Sequence, residues 1–386
     1  MDSILHFRLP SAGVALVTGA NGITGQAIVE RLVKEPFEKW SKIIITSRKP
    51  LKTHQLDPRV EFIALDFLSP RETIVERIKE ICKDVTHAFF ASYVHDNDFS
   101  KLHVKNGPLF RNFLSAVDEA CPLLTRVVLQ TGGKHYAFQF RDFTTPLVEN
   151  TPRHEGPENI FYYQQEDDLF AIQKRTNRWD YNIIRPWAIV GYTPTYIGIN
   201  EALPMAQYFL ICRYLNEPPL WPGSLASYYR VENQSYAPSI ADLTLWASTT
   251  PTCKNQAFNH TNGDVIVWKF LWHLLARYFK APMADFVPPT QSSKPVDMAE
   301  WARGKKPIWD EIVDKYGGDK DAFQMDSFAL MNWYITPNGE SEEPFVLGTV
   351  SKARAFGWVR YDDSYKAWLD TYWGYQGAGV LPAPWE

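Results

Sequence analysis

The sequence predicts an α/β fold: a Rossmann-type, doubly wound parallel sheet joined to a smaller, mainly helical substrate-binding region. Three observations carry this. The first half alternates short β-branched runs with helical segments, the pattern of a parallel sheet covered by helices. A glycine turn, Gly19-Ala-Asn-Gly22-Ile-Thr-Gly25, follows the first strand directly and opens a helix. The second strand ends on Ser47-Arg48-Lys49, where a dinucleotide fold chooses its cofactor.

Taken in order, Val14 to Thr18 reads as a buried strand and Gly25 to Lys34 as a helix. Lys42 to Thr46 and Val60 to Leu65 are the next two strands, the latter running into Asp66. Pro70 to Cys82 is an amphipathic helix with Ile74, Ile78 and Ile81 on one stripe. His87 to Ala91 is the fourth strand, Leu109 to Glu119 a helix, and Arg126 to Gln130 the fifth strand. Tyr163 to Arg175 is a helix and Tyr181 to Ile184 the sixth strand. After Pro186 the rhythm breaks into Pro-rich loops and helical stretches such as Val267 to Phe279, with a Pro- and Ser-rich surface connection from Ala281 to Pro295. The expected division is a nucleotide-binding domain over 1–190 and a mainly substrate-binding region over 191–386, with segments returning to the first domain.

Composition narrows the function. Of 14 tryptophans, all but Trp40 and Trp179 lie beyond residue 180, so the second half holds an aromatic core, an apolar cleft, or both. A net charge of −4 and a pI near 6.2 offer nothing to a phosphodiester backbone, which argues against nucleic acid. Cys82, Cys121, Cys212 and Cys253 are scattered without metal-ligand spacing and read as reduced thiols, with no metal expected. Asn233-Gln-Ser and Asn259-His-Thr match the glycosylation pattern, but Asp2, His6 and Arg8 break any apolar leader. No apolar run is long enough for a membrane span. The expectation is a cytoplasmic protein whose partner is a small apolar carbonyl substrate. Whether it acts as a monomer or a homodimer stays open.

The glycine turn needs residues without a Cβ so that a pyrophosphate can approach the backbone N–H groups at the helix start. Gly19, Asn21, Gly22, Ile23 and Gly25 are therefore expected cofactor residues. Its Gly-x-x-Gly-x-x-Gly spacing resembles that of extended short-chain dehydrogenases/reductases. An NAD enzyme usually ends its second strand on Asp or Glu; here a guanidinium and an ammonium stand ready for a 2′-phosphate. The expected cofactor is NADPH. Asp66 suits an adenine amino group, or is an ordinary loop cap.

The usual Tyr-x-x-x-Lys dyad is missing, since Tyr162 is followed four residues on by Glu166 and Tyr163 by Asp167. A lysine occurs instead just past the fifth strand, in Gln130-Thr-Gly-Gly-Lys134-His135-Tyr136. With Phe161-Tyr162-Tyr163-x-x-Glu166-Asp167, this resembles the progesterone 5β-reductase/iridoid synthase group of atypical short-chain reductases. Asp84-Val-Thr-His-Ala-Phe-Phe, Ala257-Phe-Asn-His-Thr-Asn-Gly-Asp264-Val265 and Lys306-Pro-Ile-Trp309-Asp-Glu-Ile extend the resemblance in collinear order. It implies reduction of conjugated carbonyls with NADPH, with Lys134 and Tyr162 as catalytic pair and Tyr163 structural. The cofactor contacts it implies are Asn21, Gly22, Ile23, Arg48, Lys49, Asp66, Phe67, Ser92, Tyr93, Gln130, Tyr162 and Ile189, and more weakly Tyr196, Ile197 and Gly198.

Two departures bear on the substrate. Arg185-Pro186-Trp187-Ala188-Ile189 replaces the family's Arg-Pro-Gly-Asn-Ile, and Phe138-Gln139-Phe140 stands where Gly-Pro-Phe is common. Tyr93, Phe138, Tyr162 and Trp187 are thus the expected substrate contacts, without indicating a steroid or an iridoid precursor. A phenol facing a carbonyl oxygen serves 1,4-reduction of an enone or enal, and equally 1,2-reduction of a ketone or aldehyde. A protein that binds NADPH without turnover is a third reading. Sugar-nucleotide epimerisation is disfavoured by the missing dyad.

Overall fold

Alternation within the strands decides the layering. Val14 and Leu16 of the first strand turn into one hydrophobic cluster while Ala15 and Val17 turn into another on the opposite face. The computed structural model describes residues 12–48, 57–96, 98–138, 145–194, 200–335 and 346–385. Four of the expected site residues, Lys49, Tyr196, Ile197 and Gly198, lie outside the described residues, as do Gln139 and Phe140.

The first half comprises β1 (Gly13–Thr18), α1 (Ile23–Val33), β2 (Trp40–Ser47), β3 (Val60–Ala64), α2 (Arg71–Ile78) and β4 (His87–Phe90), then α3 (Leu102–Ala120), β5 (Arg126–Gln130), α4 (Phe161–Thr176) and β6 (Asp180–Pro186). Beyond them come α5 (Ala202–Leu215), α6 (Ala237–Thr249), β7 (Gln256–His260), α7 (Trp268–Tyr278), α8 (Lys306–Tyr316), α9 (Met325–Ile335) and α10 (Ser364–Gly377). The strands form one parallel sheet in the order β7-β6-β5-β4-β1-β2-β3. α2, α3 and α4 cover one face, while α1 and α6 cover the other. Strand order reverses between β1 and β4, so a crevice opens beyond their carboxyl ends.

Two elements differ most from the expectation, and α2 closes at Ile78 instead of Cys82. α3 begins at Leu102, not near Leu109, and runs through Gly107-Pro108. Tertiary bonds outweigh the proline there: the Asn106 side chain accepts from Val94 N–H and donates to its C=O, and its own carbonyl accepts from Gln165 Nε2 at 2.9 Å. The seventh strand, β7, comes from the second half and pairs along β6 from Gln256 with Asn182 to His260 with Pro186.

The aromatic second half is mostly core. Trp221, Trp268, Trp272, Trp309 and Trp368 are buried with Phe209, Phe279, Tyr372 and Tyr375 in one cluster. Their indole N–H groups find oxygens: Trp272 donates to Pro219 O at 3.0 Å, Trp309 to Asp319 O at 3.1 Å and Trp268 to Glu232 Oε2 at 2.8 Å. Trp187 and Trp333 instead border the crevice. All four cysteines are buried and unbridged. No helix among the described residues is long and apolar enough to cross a membrane.

Candidate active site

A continuous cleft of about 1090 Å³ runs along the carboxyl ends of the strands. At one end lies the glycine turn. Gly19 adopts φ +63°, and a Cβ there would stand 2.5 Å from Ala91 O, so both backbone and space demand glycine. A Cβ at Gly25 would fall 2.1 Å from Gly19 O, which holds the first turn of α1 tight against the loop. Gly22 is the N-cap of α1 and brings no side-chain acceptor, so the N–H groups of the first turn open onto the cleft beside Asn21, Ile23 and Thr24. These features fit a pyrophosphate; Gly25 serves from behind the wall.

Next along the cleft, Ser47 is buried and Arg48 exposed at the end of β2. Asp66 caps its own turn, Oδ1 accepting from Leu68 N–H at 2.9 Å, while still facing the cleft beside Phe67. Ser92 and Tyr93 follow β4, and Ile189 follows β6. Gln130 donates through Nε2 to Thr244 Oγ1 at 2.7 Å, leaving its buried Oε1 without a partner at the cleft wall.

The expected catalytic pair opens onto the cleft where β5 ends. Gly133 opens a short 3₁₀ turn, Gly133–Tyr136, and Lys134 extends from it into the cleft. The Lys134 ammonium stands 4.9 Å from the centre of the Trp333 ring, and burial pushes its amine down to about 8. Tyr162 sits in the first turn of α4 and faces the same cleft. Its phenol lies close to Gly132, where an added Cβ would come within 3.3 Å of the hydroxyl. Burial, with Tyr93 adding to it, pushes this phenol upward. Loss of solvent dominates both groups.

The dyad position on α4 has another use. Glu166 is 2% exposed and accepts from Arg185 Nη2 and Arg153 Nη2, each at 2.9 Å, with His135 Nδ1 at 3.2 Å. Although burial opposes its charge, these cationic and imidazole partners pull its carboxyl down to about 2. Tyr163 is occupied as well, its hydroxyl donating to His135 O at 2.7 Å and accepting from His154 N–H at 2.9 Å. Both residues brace the Lys134 turn against α4 and keep out of the cleft.

Trp187 has both of the roles its position allows. It lines the cleft, yet it is only 8% exposed and wedged so tightly that a Cβ on Gly133 or Gly348 would strike the indole at 1.9 Å. Tyr136 and Phe138 meet its ring edge-on at 5.5 and 6.5 Å. Trp187→Gly is therefore expected to lose about 3–5 kcal/mol in urea unfolding. The surviving protein should show a changed ranking of substrates, with cofactor affinity within a few-fold.

Sequence reasoning missed the wall contributed by the second half. Asn200 and Glu201 before α5, Arg230 and Glu232, and Trp333 and Tyr334 at the end of α9 all line the cleft. No motif or spacing marks them; only the return of the chain over the sheet brings them there.

Comparisons with known proteins agree with this architecture. A family model described as a PRISE-like Rossmann-fold domain matches residues 15–335. The short chain dehydrogenase gsfE of Penicillium aethiopicum is 40% identical over 95% of this chain and 99% of its own length. The 3-oxo-Delta(4,5)-steroid 5-beta-reductase of Arabidopsis thaliana is 30% identical over 93% of this chain and 91% of its own. The (S)-8-oxocitronellyl enol synthase ISY1 of Nepeta racemosa is 30% identical over 92% and 91%. Among solved structures, Bordetella bronchiseptica WbmH in complex with NAD+ superposes with a TM-score of 0.62 at 13% identity, covering 95% of this chain and all of that one. At that identity the likeness speaks for the fold alone.

Proposed function

Because the chain belongs to the PRISE-like Rossmann-fold domain family, we propose that it is an NADPH-dependent oxidoreductase that reduces the double bond of an apolar α,β-unsaturated carbonyl. The observation that carries this reading is the joint opening of Tyr162 and Lys134 into one cleft with the glycine turn, while Glu166 fills the ordinary dyad position. The name of the Arabidopsis relative, which joins an oxo group to a neighbouring double bond and a reductase, supports the reaction type. The fungal and plant relatives together support a place in specialised metabolism; a cytoplasmic location is part of the same proposal.

NADPH supplies the hydride when bound. The α1 N-terminus and Asn21 to Ile23 would hold its pyrophosphate, Arg48 with Lys49 its 2′-phosphate, and Gln130 and Ile189 the nicotinamide end. As a hydride reaches the β-carbon, the electron pair moves onto the carbonyl oxygen. Tyr162, kept protonated by burial, donates a hydrogen bond to that oxygen, and the Lys134 ammonium adds positive potential to the cleft. A proton from water then completes the α-carbon. Phe138, Trp187 and Tyr93 would shape the apolar side of the substrate site.

The test is product analysis. Cyclic enones, enals and saturated ketones are incubated with NADPH, and the expected products are saturated carbonyls from the enones and enals only. Allylic alcohols would overturn the reading in favour of 1,2-reduction. In parallel, fluorescence titration should show NADPH binding far more tightly than NADH. Arg48→Ala should remove about 1.5–3 kcal/mol of that preference, roughly ten- to a hundredfold in Kd. Equal affinities in the parent protein would sink the assignment.

A further inference from the structure

Trp333 is set apart from the tryptophans of the aromatic core. Trp221, Trp268, Trp272, Trp309 and Trp368 are buried there, whereas Trp333 is half-buried and faces the cleft. Its backbone is fixed from two sides. One residue back, the Asn332 side chain accepts from Met298 N–H at 2.7 Å and donates to Asp297 Oδ1 at 2.9 Å. One residue on, the Tyr334 carbonyl accepts from Arg230. The last turn of α9 is thereby tied to two separate segments of the second half. The indole it carries reaches the first half, where the Lys134 ammonium stands 4.9 Å from the ring centre.

This contact suits what a lysine in such a cleft has to do. Burial lowers the Lys134 amine to about 8, so near neutral pH a modest change in surroundings decides how much ammonium is present. A carboxylate would hold the charge but cancel its field at a neighbouring oxygen. The face of an indole attracts the ammonium through the ring quadrupole and leaves the net charge in place. The phenols that share the cleft, Tyr93, Tyr162 and Tyr334, are pushed upward by burial and stay neutral through this range. On the facing wall Arg230 is paired with Glu232 at 3.1 Å, and Glu201 and His95 border the same space. Arg48 and Asp66 lie at the nucleotide end.

We propose that Trp333 is a positioning residue for Lys134: its indole face holds the ammonium, in its charged form, within the cleft that Tyr162 faces. The catalytic pair of the first half is thus completed by α9 of the second, and the seating of α9 sets the charge at the reaction centre. The effect on rate rests on the reductase reading above; the effect on the ammonium does not, and the experiment reads the two separately.

Competitive acetylation with trace acetic anhydride across about pH 6–10, read by peptide mass spectrometry, gives the titration midpoint of Lys134 without any turnover. In the parent it should lie near 8. Tryptophans carrying one, two and three ring fluorines, placed at position 333 by codon suppression, keep the shape of the side chain and weaken its attraction for a cation. The midpoint should step downward along this series, by about one unit in all. A midpoint that fluorination leaves unmoved overturns the proposal.

The single-turnover rate of hydride transfer from NADPH to a cyclic enone is then followed against pH. In the parent it should fall as the pH rises past the lysine's midpoint. In the trifluorinated protein this limb should lie lower by a similar shift to the one labelling reads. At pH 7.5 that amounts to a loss of about threefold, restored at about pH 6, where both proteins carry a charged lysine. A rate lowered equally at every pH would make the ring a wall of the cleft and nothing more, and overturns the positioning role. So does a limb that stays in place while the labelling midpoint moves. If the parent reduces no enone at all, the reductase reading falls instead, and labelling alone decides whether Trp333 holds the ammonium.

Discussion

Replacing Tyr162 by phenylalanine is expected to lower turnover about a hundred- to a thousandfold, the usual cost of removing one donor to a developing oxyanion. NADPH affinity should stay within a few-fold, because the ring remains and only the hydroxyl is lost. Stopped-flow hydride transfer with a cyclic enone, beside an NADPH titration, measures both quantities. Lys134→Met should act in the same direction. Tyr163→Phe provides the contrast, since its hydroxyl bridges His135 O and His154 N–H and does not face the cleft. That change should lower stability by about 1 kcal/mol and leave the rate nearly unaltered. A damaging Tyr163→Phe with a silent Tyr162→Phe would place the working phenol one residue later and overturn the mechanism.

Glu166→Gln is expected to cost about 3–5 kcal/mol of stability at neutral pH, because Arg185 and Arg153 lose the one carboxylate they share in the interior. Acid should do to the parent what the substitution does outright. The carboxyl is depressed from 4.5 to about 2 in the folded protein. A group held below its unfolded value stabilises the fold above that value and loses the contribution as pH falls toward the folded one. The parent should therefore lose on the order of 3 kcal/mol between about pH 4.5 and pH 2. His135, which burial also holds below its usual value, adds in the same direction at somewhat higher pH. Urea midpoints across this range measure the loss, and the Glu166→Gln protein should show a flatter acid limb. An identical slope in both proteins would refute the assignment to Glu166.

The parts of this molecule that could be read from the chain are those whose physics is local. The glycine turn is legible because φ at Gly19 and the close approach at Gly25 admit no other residue. The central strands β1, β2, β4 and β5 are legible because both faces of the sheet are covered there, so each holds a short apolar run. β7 escapes such reading. Its Gln256-Ala-Phe-Asn-His260 looks like a polar loop until the Asn259 side chain is seen donating to Leu147 O and accepting from the Tyr136 hydroxyl. Pro108 misleads for a related reason, since what keeps α3 helical through it lies on other elements. Lys134 and Tyr162 became candidates through a motif resemblance, whereas Glu201 had no motif at all. A single glutamate ahead of an apolar helix says nothing about being buried at the wall of a cleft.

The origin of β7 has a consequence for how the protein is made. As the chain emerges during synthesis, β6 has β5 on one side and an open edge on the other until Gln256–His260 appears. That edge presents Asn182, Ile183 and Ile184, whose side chains belong in the interior. An exposed apolar edge pairs readily with any passing strand. The nascent first half is thus a species for chaperones to guard, and its expression as a separate fragment should yield aggregates, not a free nucleotide-binding domain.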